Sequence, residues 1–350
     1  MKIFHCDCCG GLVYFENTSC LNCGTALAYL PDVSEVRGLN PSEEQKWQST
    51  SGGHYRLCQN YIEHDVCNWA VPIEDPNIYC VSCRLTQVIP DLSVNGNKIA
   101  WAKFEAAKRR LNYSLLGFGL PVKSKVEDPK DGVAYAFLAD LPGAPVLTGH
   151  DFGIITINLA EANDAERESR RVLLHEPYRT ILGHFRHEIG HYYWDRFFVD
   201  EESQEAFRGV FGDEREDYEQ ALKRHYENGA PAGWQENFIS TYATTHAWED
   251  WAETWAHYLH MADALETAAA VGLSLKPVRK DEPSLKLPGQ PLASFDAMIE
   301  NWVSLTYVLN NLNRGLGLLD GYPFVLSNTV VEKLRFVHDR IRKEATSPRP

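Results

Sequence analysis

All nine cysteines of this 350-residue chain fall between Cys6 and Cys83. A disulfide framework would staple a secreted chain along its whole length. Thiols confined to one end, behind an N-terminus (MKIFHCDCC) without an apolar stretch of signal-peptide length, point instead to metal ligation in a reducing, cytoplasmic setting. Cys6-x2-Cys9 and Cys20-x2-Cys23 are two paired knuckles. Each CxxC turn aims two thiolates at one Zn²⁺, and two turns complete a tetrahedron. Cys8 is a spare thiol inside the first knuckle, where spacing favours Cys6 and Cys9. The second set, Cys58, Cys67, Cys80 and Cys83, joins a regular knuckle to an open half, Cys58-x8-Cys67. The alternatives are an incomplete site that borrows His54 or His64, and buried thiols that bind no metal.

Closed four-thiolate sites have no open position, so they fold a module and activate no water. Residues 1–95 are therefore expected to form two zinc-ribbon modules with one structural zinc each. Ribbons often clamp nucleic acid, but residues 1–84 carry Lys2, Arg37, Lys46, Arg56 and Arg84 against ten acidic side chains, and the whole chain has a net charge of −14. That field repels phosphates, which excludes a general nucleic-acid binder and leaves recruitment of a protein partner or scaffolding. With 44% hydrophobic and 23% charged residues the composition is that of a globular protein. No run approaches the roughly 18 apolar residues of a membrane span.

Beyond the ribbons, Asn95-Gly96-Asn97 marks a boundary, and helical spacing covers Ile99 to Leu116. Pro121 to Asp131 is expected as loop, followed by strands at Val133–Leu138 and Phe152–Leu159. Pro177 is expected to open a helix reaching Phe197 or Phe198, and 235–271 is expected to be largely helical. The four prolines of 276–291 predict a long loop, with helices at about 294–313 and 327–343 closing the chain. The domain plan is thus 1–95, a core over 96–275, and a C-terminal segment, 276–350, packing on that core. The class is α+β.

The chemistry centres on His187-Glu188-Ile189-Gly190-His191. Residues i and i+4 share a helix face, so both imidazoles can reach one cation, while Glu188 stands beside that face to take a proton from water. A hydrolytic zinc site needs a third protein ligand and an open fourth place. Trp248-Glu249-Asp250-Trp251-Ala252-Glu253 offers Glu249 and Glu253, again at i and i+4. One can ligate while the other fixes the distal nitrogen of a ligating histidine. His246 is the rival ligand. His184, Asp195, His257 and His260 lie near these motifs, where ordinary packing or surface roles account for them at least as well.

HEIGH followed by EDWAE resembles the gluzincin class of zinc metallopeptidases, and within it the lethal-factor type. That resemblance implies Glu249 as ligand, Glu253 behind it as second-sphere partner of a ligand, and Tyr242, seven residues earlier, as oxyanion donor. Taken together, YFENTSCLNCG, CVSCRLTQVIPDL, GIITINLAEA, HFRHEIGHYYWD and EDWAETWAHYLH resemble a bacterial family of zinc-binding metallopeptidases over nearly the whole chain. The implied fold is a mostly α-helical, zincin-like domain with a small β-sheet behind the ribbons. Its implied activity is peptide-bond hydrolysis with one catalytic and two structural Zn²⁺ and a peptide or protein substrate. By fold analogy, the Phe152–Leu159 strand is the sheet edge that pairs with the peptide. The alternative is a catalytically silent, zinc-stabilised interaction scaffold.

Overall fold

The computed structural model describes residues 1–42, 46–141, 143–165, 167, 180–279, 281–282, 284–287 and 294–346. Pro177, the expected helix start, lies outside them. The chain forms two compact units, one of Ile3–Arg167 with Thr180–Phe185, the other of Met1–Lys2 with the described residues from Arg186 onward. The architecture is mixed α+β, with a β-rich ribbon region ahead of a helical C-terminal region.

In the first unit, β1 (Phe4–His5) and β2 (Leu12–Val13) make a short hairpin. Strands β3 (Ala26–Leu30), β4 (Glu35–Pro41), β5 (Trp47–Ser49), β6 (His54–Leu57) and β7 (Ala70–Pro72) follow as one antiparallel sheet in sequence order. Ala28, Leu30, Leu39, Tyr55 and Ala70 pack on one face of it. Tyr29 also bridges Trp69 in parallel, with its N–H donating to the Asn68 carbonyl at 2.9 Å, so the last strand curls back to the first. The second cysteine cluster adjoins this sheet, while the first joins the β1–β2 hairpin to the start of β3.

A second sheet has the order β10-β11-β9-β8, built from β8 (Thr86–Val88), β9 (Ala134–Leu138), β10 (Gly149–Asp151) and β11 (Ile154–Asn158). β8 and β9 are parallel, and parallel neighbours need a crossover, here α1 (Asn97–Gly117). Segment 84–97, expected only as a boundary, therefore supplies a strand to the sheet that follows it. Phe104 of α1 packs on Phe137 and Phe185 at ring separations of 5.3 and 6.4 Å. The expected strand Phe152–Leu159 is shorter and is not an edge. β11 is bonded to β10 on one side and to β9 on the other, so its backbone groups are already engaged. Phe152 and Gly153 instead make the two-residue hairpin turn, at φ 44° and 80°.

The second unit is helical. Its helices are α2 (Ile181–Phe197, from Arg186 onward in this unit), α3 (Glu201–Phe211), α4 (Tyr218–Asn228), α5 (Ala247–Ala270), α6 (Phe295–Gly315) and α7 (Asn328–Thr346). α5 starts later than expected, because His246 caps it and residues 242–244 form a 3-10 turn. Within the expected loop 276–291, β13 (Leu285–Lys286) pairs with β12 (Ser274–Leu275). Among the described residues no helix is long and apolar enough to cross a membrane.

Two contacts fix the helix carrying Glu249. α2 crosses α5 at Gly190, where a Cβ would lie 3.1 Å from Trp255 Cδ1 and 3.2 Å from Ala252 Cα. Trp251 Nε1 donates to the Gly190 carbonyl at 2.9 Å, and Tyr193 stacks on Trp255 at 5.1 Å. On the opposite side, Asp250 and Lys333 form a buried ion pair at 2.6 Å, and Lys333 Nζ also donates to the Asn237 carbonyl at 2.7 Å. Burial pushes the Asp250 carboxyl up to about 7 against the pull of Lys333.

Gly190→Val is expected to overpack this crossing and cost about 1–3 kcal/mol, read as a lowered thermal midpoint of the helical circular-dichroism signal. An unchanged midpoint would show that the crossing tolerates a wider spacing. Lys333→Met is expected to cost about 3–5 kcal/mol by leaving a carboxylate buried without its cation, and the added change Asp250→Asn should recover part of that loss in denaturant titrations.

Candidate metal centre

In the first ribbon cluster, Cys6, Cys9, Cys20 and Cys23 place their sulfurs within 4.8 Å of one another. Cys6 and Cys23 are 3.6 Å apart, as are Cys9 and Cys20. A tetrahedron of Zn–S bonds has sulfur–sulfur edges of about 3.8 Å, so the set matches a zinc ion without rearrangement. Cys8 is exposed and stands outside it. In the second, Cys58, Cys67, Cys80 and Cys83 are all buried, and Cys67 and Cys80 are 3.8 Å apart. Backbone N–H groups of Trp69, Cys80 and Cys83 donate to the sulfurs of Cys67, Cys58 and Cys80 at 3.3–3.4 Å. Burial works against the charge of Arg109, yet the neighbouring thiolates of Cys67 and Cys83 hold its protonation above normal. A four-thiolate zinc centre carries net negative charge, and Arg109 offsets part of it. His64 stacks edge-on against Trp101 instead of completing a cluster.

The helical unit brings together His187, His191 and Glu249, whose ligand atoms lie within 4.8 Å of one another. His187 and His191 sit one turn apart on α2, with their Nε2 atoms 3.1 Å apart. Glu249, in the first turn of α5, places Oε2 2.9 Å from His187 Nε2 and 3.4 Å from His191 Nε2. A tetrahedral zinc with N and O ligands has ligand–ligand edges of about 3.3 Å, so this triangle has the dimensions of one face of such a site. Glu249 Oε2 is buried and receives no well-aligned hydrogen bond. A buried carboxylate oxygen in that condition is costly unless a cation meets it. The donor set therefore fits the metal.

Around the triangle, Glu253 Oε1 lies 2.7 Å from His187 Nδ1, and Ser240 Oγ donates to Glu253 Oε2 at 2.6 Å. This fixes the ring orientation and leaves Nε2 turned towards Glu249. Burial disfavours a charged His187, but the carboxylates of Glu249 and Glu253 beside its two ring nitrogens hold its protonation well above the usual imidazole range. The pocket thus favours positive charge between the buried carboxylate of Glu249 and the half-buried one of Glu253. Trp248 lies against the other ring, with a centroid separation of 3.7 Å from His191. Tyr242 stands beside His187 at 5.8 Å between ring centroids, and burial keeps its hydroxyl protonated. Glu188 is buried on α2 and lies close enough to Tyr218 to act on it electrostatically.

The remaining sequence candidates have other tasks. His246 Nδ1 caps α5 by accepting from the Trp248 N–H at 3.1 Å, and Nε2 lies 3.1 Å from the Glu216 carbonyl, so both ring nitrogens are engaged. His257 meets the Tyr322 hydroxyl at 2.9 Å, His260 contacts Arg186, and His184 lies 3.4 Å from Glu161. Asp195 is exposed. Sequence reasoning missed Ser240 and also Tyr218, whose hydroxyl donates to Glu249 Oε1 at 2.7 Å. No spacing rule reaches them, because each lies outside the ligand helices. Only Asp217, a residue type that favours helix caps, could have signalled that a helix begins at Tyr218.

Comparisons with known proteins agree with this picture. A family described as "putative zinc-binding metallo-peptidase" matches residues 97–340, and a zinc-ribbon domain matches residues 3–94. An uncharacterised protein of Mycobacterium bovis and two of Mycobacterium tuberculosis strains are each 42% identical over 351 residues, covering 100% of this chain and 98% of theirs. No solved structure matches the chain. By its family match over most of its length, the chain belongs to this zinc-binding metallo-peptidase family, with a zinc-ribbon domain at its N-terminus.

Proposed function

We propose that the chain is a zinc-dependent peptidase of gluzincin type, with His187, His191 and Glu249 holding the catalytic ion. The observation that carries this reading is the imidazole–imidazole–carboxylate triangle, with edges of 2.9, 3.1 and 3.4 Å. When bound there, zinc lowers the pKa of a coordinated water towards neutrality and polarises the scissile carbonyl. Glu188 accepts the water proton and passes it to the leaving amine, splitting the amide into a carboxylate and an amine. The Tyr242 hydroxyl, kept protonated by burial, donates to the oxygen that gains negative charge. Glu253 holds the distal nitrogen of His187 and so keeps Nε2 available to the ion.

The two thiolate clusters are the structural zinc sites of this proposal. Their acidic surroundings suit recruitment of a protein substrate or partner rather than nucleic acid. Nine cysteines without a disulfide fit a reducing, cytoplasmic compartment.

Elemental analysis is expected to find about three zinc ions per chain, one of them removable by chelator while the ribbons stay folded. Glu188→Gln is expected to keep all of the metal and to lower cleavage of a peptide library by roughly 10²–10⁴-fold. Equal inertness of parent and variant across broad libraries would favour the silent scaffold instead.

A further inference from the structure

Tyr218 is not part of the motif pair, yet it makes the one hydrogen bond described for the second oxygen of Glu249. Its hydroxyl donates to Oε1 at 2.7 Å, while Oε2 faces the two imidazoles. A carboxylate can grip a cation through one oxygen or both. With both engaged, Glu249 would fill the coordination place that a hydrolytic site keeps for water. We infer that Tyr218 is a positioning residue that holds Glu249 to one-oxygen ligation and so keeps that place open. The inference rests on the proposed reading of His187, His191 and Glu249 as metal ligands.

Three features support the assignment. Glu249 is only 2% exposed, so water does not readily replace the phenol at Oε1. Tyr218 is itself fixed as the first residue of α4, behind Asp217, whose side chain accepts from the Gln220 N–H at 3.0 Å. Its ring stands edge-on to His246 at 5.5 Å and to Trp248 at 5.9 Å, and Trp248 in turn covers His191. One packed cluster therefore sets the phenol, the carboxylate and an imidazole together. A phenol has one proton to give. The Tyr218 proton is committed to Oε1, and the Tyr242 hydroxyl is hydrogen-bonded to Tyr218 in turn.

The test uses the full chain with zinc kept in the ribbons and Co²⁺ loaded into the chelator-emptied site. Tyr218→Phe removes the hydroxyl and keeps the ring packing. Its cobalt d–d absorption is expected to fall severalfold, as a four-coordinate ion becomes five-coordinate. Tyr242→Phe is expected to leave that spectrum unchanged. An unaltered spectrum in Tyr218→Phe, or the same loss in Tyr242→Phe, would overturn the inference. Glu249→Ala separates this failure from that of the underlying reading: it is expected to abolish cobalt uptake at the site, and full uptake would remove the metal-site proposal itself.

Discussion

The helical unit depends on how closely two helices approach at Gly190. Any side chain there would press on a tryptophan ring and on the backbone of Ala252. Backbone cannot move aside as a flexible side chain does, so the spacing between α2 and α5 is set by the missing Cβ. From that spacing the rest follows. His187 and His191 project from one helix and Glu249 from the other, and their tips meet at distances suited to a small cation. The indole of Trp251 then ties the Gly190 carbonyl to the facing helix, which fixes rotation as well as distance.

Charge is the second organising constraint. Asp250 and Glu249 are adjacent in sequence and both deeply buried, but the protein treats them differently. Asp250 receives a cation from the protein's own Lys333, whereas Glu249, among the described residues, faces two imidazole nitrogens and no lysine or arginine. The same contrast separates the thiolates from their surroundings. Arg109 compensates part of the charge of the second cluster, and a metal ion is the natural source of the remainder. Where the fold supplies its own counter-charge the role is structural, and where it withholds one it leaves room for an ion.

Much of this was legible in the sequence, for identifiable reasons. CxxC knuckles and an i, i+4 histidine pair are local patterns whose geometry is decided within one turn or one helical step. The helices Asn97–Gly117, Phe295–Gly315 and Asn328–Thr346 follow from apolar spacing over many residues and lie close to the expected bounds, while Ala247–Ala270 keeps its expected end and begins twelve residues later. Strand pairing was not local. Whether Ile154–Asn158 is an edge depends on Gly149–Asp151, a strand of three residues with no apolar alternation to reveal it. Helices α3 and α4 carry little apolar signal despite the caps Asp200 and Asp217, because their flanks are charged and their buried faces narrow. Tyr218 and Ser240 reach the site through tertiary packing alone.

The curled sheet of the ribbon region carries a consequence for how metal is gained and lost. β3 leaves the first cluster just after Cys23 and meets Trp69, two residues beyond Cys67 of the second. The two clusters therefore share a strand as part of their support. Each metal that folds its own cluster thus also helps to hold the strand on which the other leans, so neither ribbon is an isolated bead on the chain.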